Sequence, residues 1–208
     1  MAKLFHLSRV ASPIALSLFF MMGSNFLANG CRADMSSQSN NHSASRIVPN
    51  EWPLRFKEHN FEALCYNAIG CNVAYNGHYQ KKSEPDEVSP PPPSPDYLNK
   101  VWGSVEVGIR NFPPPANVRW KSMDGIPHEA KVDIAGIFEN ELILHKVSRD
   151  EVPDGWAHNV VPNVFLEVND RTINVYMRAH IATKQLQDPG NSHSNFRNDL
   201  MLAWTHTY

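Results

Sequence analysis

Cys31, Cys65 and Cys71 carry the sharpest chemistry in the chain, and the first sits in a telling place. Lys3 and Arg9 give a positive start. An apolar run from Ile14 to Phe20 continues through Met21, Met22, Phe26 and Leu27, and Ala28-Asn29-Gly30 lead into Cys31. That is the charged, apolar and small-residue order of a bacterial export signal. A cysteine at the cleavage point is what a lipoprotein signal peptidase requires, because the thiol receives the diacylglycerol before the peptide bond is cut. Cys31 is therefore the candidate lipidation site. Gly30 fits a lipobox, whereas Ala28 stands where Leu is usual, Asn29 is larger than usual and Leu27 comes one place early. Two other readings stay open behind this one. Ala28 and Gly30 also satisfy the small-x-small rule for ordinary cleavage after Gly30, giving a soluble periplasmic or secreted protein. An uncleaved membrane helix ranks third, since Ser17, Gly23, Ser24 and Asn25 interrupt the ~20 apolar residues a span needs. Arg32 after the cysteine, where an aspartate would retain the protein, favours outer-membrane sorting. Acyl chains contribute roughly 0.8 kcal/mol per buried CH₂, enough in a triacylated N-terminus for stable anchoring.

With Cys31 carrying lipid, Cys65 and Cys71 remain as a pair in an oxidising compartment. Asn67 and Gly70 between them are turn formers, so the two thiols are expected to face each other across a tight hairpin as a structural disulfide. The alternative is two buried free thiols. A redox role is not expected, because the C-x-x-C spacing is absent.

Little else reads as chemistry. Eight histidines lie after Asn50, scattered from His59 to His206. His128-Glu129 begins like a zinc-protease helix motif, but Val132 stands where the second His belongs, so no metal site is expected. Neither a G-x-S-x-G elbow, an Asp-rich calcium loop nor a phosphate-binding glycine loop is present, which favours a non-enzyme without cofactor. Trp102, Trp120, Trp156 and Trp204 could line a sugar or lipid groove, yet Trp120 and Trp204 fall inside alternating strands and read as core. Trp156, with Asp154 in the loop beside it, is the candidate exposed contact, since Trp is over-represented among interface hot spots. Asp170 and Arg171 complete the candidate partner contacts, with an ordinary solvated face as their plainer reading.

The elements that must position these residues are short strands. Removing residues 1–30 takes away Lys3 and Arg9 and no acid, moving the net charge from −2 to −4, which gives no support for nucleic-acid binding. Residues 31–50 are Ser/Asn-rich and polar, a flexible tether. Residues 51–208 suffice for one domain. Phe61–Tyr66 and Asn72–Tyr75 read as strands, and Asn76-Gly77 as a type I′ hairpin turn. Residues 81–96 break all pattern, with Pro90–Pro93 and Pro95 making 85–96 an exposed loop of polyproline II character. Val101, Val105, Val107 and Ile109 are expected on one side of a strand. Val118, Trp120 and Ser122, the turn Asp124-Gly125 and the return His128–Ile134 form another hairpin. Ile134–Leu144 is ambiguous between helix and strand, and Ser148 with Glu151 resembles a capping box for one helical turn. Val164, Leu166 and Val168 lead through Asn169-Asp170-Arg171 to Ile173, Val175 and Met177, the clearest hairpin, and Leu200–Trp204 forms a last strand. The expected fold is mainly β: a single antiparallel sandwich or curled sheet with one or two short helices.

Four stretches carry a resemblance: Cys65-Tyr66-Asn67 through Gly70-Cys71 to Tyr75-Asn76-Gly77; Ile109 to Pro115 with Val118-Arg119-Trp120; Glu167 to Tyr176; and Phe196 to Asp199 with Ala203-Trp204. Together they resemble small bacterial exported lipoproteins of unknown function, similar to the immunity lipoproteins that accompany lipase effectors of type VI secretion systems. The resemblance implies a periplasmic protein, held at the outer membrane by lipid, that binds and neutralises a phospholipase toxin. Loops such as 85–96 and 153–163 would meet the toxin. The alternative is an envelope lipoprotein that binds a glycan, lipid or cell-wall ligand without catalysis.

Overall fold

A computed structural model of the chain describes residues 51–103, 106–156 and 160–208, all within one compact unit spanning Ala44–Tyr208. The export signal, Cys31 and the tether lie outside the described residues.

The protein is a β-rich sandwich. Its strands are β1 (Glu58–Tyr66), β2 (Ala68–Tyr75), β3 (His78–Lys81), β4 (Val88–Ser89), β5 (Glu106–Arg110), β6 (Ala116–Ser122) and β7 (Pro127–Val132), then β8 (Asn163–Asn169), β9 (Thr172–Arg178), β10 (Ile181–Ala182), β11 (Phe196–Arg197) and β12 (Leu200–Thr207). One sheet has the order β12-β9-β8-β1-β5, the other β3-β2-β6-β7 with β4 also on β2, and β10-β11 form a small third pair. Alternation puts Phe61, Ala63, Val164, Leu166, Ile173 and Val175 of the first sheet into one core with Val73, Tyr75, Val118, Trp120, Ala130 and Val132 of the second.

Where the turn chemistry is local, the structure follows the sequence. Asn76 and Gly77 take φ of 50° and 76°, the left-handed pair a type I′ turn needs, and Tyr75 pairs with His78. Asp170 and Arg171 form the two-residue link between Asn169 and Thr172. The Ser148 N–H and hydroxyl both donate to the Glu151 carboxylate at 2.7 and 2.6 Å, capping a 3₁₀ turn over Arg149–Glu151. The ambiguous segment resolves into a single helical turn, α1 (Ile134–Ile137), started by the Asp133 carboxylate accepting from the Gly136 N–H at 3.0 Å.

Four expectations are corrected. The first sheet is mixed, because β1 and β8 pair in parallel from Asn60↔Asn163 to Tyr66↔Asn169. Val107 and Ile109 do not share a side: β5 spends three steps, Glu106 to Ile109, against two on β1, Phe61 to His59, and Gly108 takes φ of 70° within the bulge. Val107 is left 70% exposed while Ile109 is buried. Residues 81–96 are not wholly without pattern, since Val88-Ser89 pairs with Ile69 and Ala68. Finally, Cys65 and Cys71 do form a disulfide, but not across a hairpin. The chain leaves the first sheet at Tyr66, turns at Asn67 (φ 47°) and enters the second sheet at Ala68. The disulfide is a staple between sheets.

The outer face of the first sheet is covered by the chain itself. Residues 97–103 cross it, with Trp102 stacked on Phe165 at 4.4 Å and the Arg178 guanidinium over the same ring at 5.6 Å, donating to the Leu98 carbonyl at 3.3 Å. Beneath this strap the buried Glu167 accepts from the Tyr97 hydroxyl, from Asn174 Nδ2 at 2.9 Å and from the Tyr176 hydroxyl at 3.2 Å. Burial, with the neighbouring Glu167, pushes the Tyr97 and Tyr176 phenols well above their usual range.

Candidate functional site

Three connections meet where β1 hands over to β2, and their sequences explain why. The β8–β9 turn docks through Asp170, whose N–H donates to the Tyr66 carbonyl at 3.1 Å. Trp120 Nε1 donates to the Asp170 carbonyl at 2.6 Å, and the Met123 N–H donates to the Asp170 carboxylate at 2.9 Å. Arg171 pairs with Asp124 of the β6–β7 turn. Asp124 also accepts from the Ser122 hydroxyl, and that bond together with the Arg171 guanidinium holds its carboxyl down to about 2. The third connection is the start of the Pro-rich loop: Asn67 N–H donates to the Pro90 carbonyl at 3.2 Å and Gly70 N–H to the Glu87 carbonyl at 2.9 Å. Gly70 is required here, because it takes φ of 58° and a Cβ would lie 2.6 Å from the Pro85 carbonyl oxygen.

The Cys65–Cys71 disulfide sits directly behind these turns. On the surface they leave Val88 (54% exposed), Met123 (50%) and Ile126 (48%), ringed by the Arg171–Asp124 and Lys121–Asp86 ion pairs. Single exposed apolar residues are ordinary. Here Val88 lies on β4, paired with Ile69, and Met123 and Ile126 lie on the β6–β7 turn, so three exposed apolar residues sit on segments tied to the β1–β2 crossing. Sequence reasoning missed Val88, Met123 and Ile126. The available signal was Met123 and Ile126 flanking an Asp-Gly turn, where polar residues are usual.

The four candidate contacts from the sequence are split. Asp170 and Arg171 belong to this stapled end, Asp170 as a docking group and Arg171 half-exposed in its ion pair. Asp154 and Trp156 lie at the opposite end, where Trp156 stands 6.5 Å from His180, beyond the far terminus of β9. From Arg171 to His180 along an extended chain is roughly 25–30 Å. Trp156 is half-buried and packs against the core. The loops 85–96 and 153–163 likewise separate, for the Asn60 N–H donates to the Pro162 carbonyl at the start of β1 and Asn67 meets Pro90 at its finish. One small contact surface cannot include both.

The remaining candidates serve packing. His128-Glu129 lies on β7, with His128 stacked on Trp120 at 5.0 Å and Glu129 paired with Arg119 at 3.2 Å. Trp204 is partly buried against the core, and Trp102 belongs to the strap. The fully buried His59 bridges Asn111 Oδ1 at 2.9 Å and the Tyr75 hydroxyl at 3.0 Å, and burial lowers its pKa. Among the described residues, no three His, Cys, Asp or Glu side chains gather to hold a metal ion, and no helix is long and apolar enough to cross a membrane. The chain matches no family model, no curated protein and no solved structure.

Proposed function

We propose that this chain is an exported, lipid-anchored immunity protein that binds and neutralises a phospholipase effector of a type VI secretion system, and that the stapled end is its contact surface. The observation that carries the reading is that three exposed apolar residues, Val88 on β4 and Met123 and Ile126 on the β6–β7 turn, lie on segments hydrogen-bonded to the β1–β2 crossing, which the Cys65–Cys71 disulfide closes. A few apolar anchors held rigidly, inside a charged rim, supply most of the energy of a typical protein interface. Rigidity lowers the cost of ordering them on binding. The disulfide also fits an oxidising compartment, which agrees with an export signal ending at Cys31. The stretches that resemble immunity lipoproteins include Cys65–Cys71, Val118–Trp120 and Asn169–Arg171, and these segments build the stapled end. A lipid on Cys31 would hold the inhibitor at the membrane, where a phospholipase attacks.

The test is co-expression. A type VI phospholipase encoded beside this gene, directed to the periplasm, should kill cells lacking the gene and spare those carrying it. Equal killing in both cultures sinks the proposal.

A second reading, a non-catalytic envelope protein holding a glycan or lipid, draws on the uncovered outer face of the second sheet. There Asn72, Pro85, Arg119 and Lys121 border an open depression of about 460 Å³, within the range of small-ligand sites. Retention on purified cell wall or phospholipid vesicles, with no effector protection, would favour it.

A further inference from the structure

Proline has no N–H to give a sheet or a helix, so a run of prolines is held by its ends. The ends of Pro90-Pro91-Pro92-Pro93 are clamped to different sheets. Before the run, Ser89 is buried on β4 and pairs with Ala68 of the second sheet, and the Pro90 carbonyl accepts from the Asn67 N–H at 3.2 Å. After it, the Ser94 hydroxyl donates to the Asp96 carboxylate at 2.8 Å. The Ser94 carbonyl accepts from the Tyr97 N–H at 3.2 Å, leading into a 3₁₀ turn over Tyr97–Asn99. Tyr97 is itself fixed on the outer face of the first sheet, edge-on to Tyr66 at 5.2 Å and donating to the buried Glu167.

Between the clamps the backbone has little choice of conformation. Each proline ring locks φ at about −65°, and a residue before proline is driven from the helical region into the extended one. Ser89, Pro90, Pro91 and Pro92 all precede a proline, so the chain runs as polyproline II until it bends at Pro93-Ser94. With three residues per turn and a rise of about 3.1 Å, Pro90 and Pro93 fall on one side of a rod roughly 9 Å long. Pro90, Pro91 and Pro93 are exposed, and Pro92 is partly covered. Val88, also exposed, stands two places before the rod.

What the rod offers narrows what can hold it. Four consecutive prolines present no N–H, so a β-strand cannot pair with them. No charged residue lies between Val88 and Pro95, so an acidic or basic peptide finds no counter-charge there, and neither does an anionic membrane. Ring faces and acceptors remain: among the described residues, the Pro91, Pro92 and Pro93 carbonyls accept no hydrogen bond. Their complement is a flat apolar surface with N–H or O–H donors at its edge, which Trp and Tyr side chains supply together. Grooves lined by such rings are a recurring mode of binding proline-rich segments, and a rod already fixed at both ends adds little ordering cost.

We infer that Pro90–Pro93 is a preformed polyproline II ligand, and that the partner effector receives it in a groove lined by Trp or Tyr side chains; this rests on the effector reading of the stapled end.

The test pairs the full chain with the phospholipase encoded beside its gene. Pro91→Ala/Pro93→Ala removes two exposed rings and should keep a cooperative melt. It should weaken effector binding at least about tenfold, the scale of a hot-spot loss. Pro91→Ala alone, which leaves the bend at Pro93-Ser94 untouched, should weaken binding in the same direction. The ring contact is read by fluorine NMR on effector labelled in turn with fluorotryptophan and fluorotyrosine, with the chain unlabelled. Saturating wild type should shift at least one resonance that the saturating double variant leaves at its free position. Wild-type binding matched by both variants overturns the inference, as does a spectrum in which wild type and double variant move the same resonances. Absence of any binding by the wild type overturns the effector reading and the rod's role with it, so the two failures are told apart.

Discussion

At the end where β1 passes into β2, the turns are fixed by a covalent staple, backbone hydrogen bonds and exposed ion pairs; at the opposite end, buried rings do the same work. There Phe56 sits edge-on to Phe112 at 5.8 Å and to Phe138 at 6.0 Å, with His59 at 6.2 Å. The Asn111 side-chain amide donates to the Phe56 carbonyl at 2.9 Å, and Trp52 meets His145 at 5.2 Å. The first end adds covalent and hydrogen-bonded ties between its turns to the burial of Tyr66, Ala68 and Trp120, and it exposes Met123 and Ile126. The second spends its apolar side chains on the core and has few to offer a partner. A loop surface becomes a contact surface when something other than its own hydrophobic residues holds it still.

The largest effect should come from removing the ring packing. Phe56→Ala deletes a side chain 2% exposed and should cost about 3–5 kcal/mol in denaturant unfolding. Neutralisation should fall only in proportion to the unfolded fraction; a further loss of effector affinity in the folded protein would mean the two ends are not independent. Replacing both Cys65 and Cys71 by Ser should cost less, about 2–3 kcal/mol, because the closed loop is short. Here affinity should fall even where the protein remains folded, since the turns lose their shared anchor. A binding titration at a temperature where both variants are native separates the two cases.

Acid should act on one end before the other. Burial lowers the pKa of His59, opposed by its Asn111 hydrogen bond and by Glu106, and burial also lowers that of His145. In the unfolded chain a histidine takes its proton near pH 6.5. Below that value the unfolded state binds more protons than the native state, so this stability is complete above about pH 6.5 and is lost as pH falls through the folded pKa values. At the stapled end Asp124 is held down to about 2 and keeps its charge beside Arg171 throughout that window. Hydrogen exchange, corrected for intrinsic rates, should show peptides around 54–60 and 138–146 losing protection between pH 7.5 and 5.5 before peptides around 66–72 and 120–126. His59→Gln should flatten that dependence. Simultaneous loss at both ends would remove the distinction drawn between them.

How much of this was legible depended on distance along the chain. Asn76-Gly77, Asp124-Gly125 and Asp170-Arg171 were readable because a turn's chemistry is carried by its own residues. The same holds for the Ser148–Glu151 cap. The parallel pairing of β1 with β8 was not, because Asn60 and Asn163 are brought together by packing that no local pattern encodes. Nor was the strap, in which Tyr97 and Trp102 cover Glu167 and Phe165. The cysteines fell between: their pairing followed from number and spacing, while the switch of sheets at Asn67 did not. Of the four candidate partner contacts, Asp170 and Arg171, read as charges on a turn, lie together at the stapled end. Asp154 and Trp156 were grouped with them by residue type alone, and nine residues of extended chain from Arg171 to His180 keep them apart.

The smallest effect on stability should come with the largest contrast in binding. Ile126 lies on the β6–β7 turn and is 48% exposed, so Ile126→Asp removes little buried area and should change unfolding free energy by no more than about 0.5 kcal/mol. In an interface it would place a carboxylate where an apolar anchor is desolvated, which should weaken effector binding at least about tenfold, the scale of a hot-spot residue. Asp154→Ala at the opposite end is also an exposed substitution and should alter neither stability nor binding. The pair is informative because both positions are exposed and they lie at opposite ends. A binding loss from Asp154→Ala with none from Ile126→Asp would move the contact surface to the ring-packed end, and the disulfide would then be a staple for the fold alone.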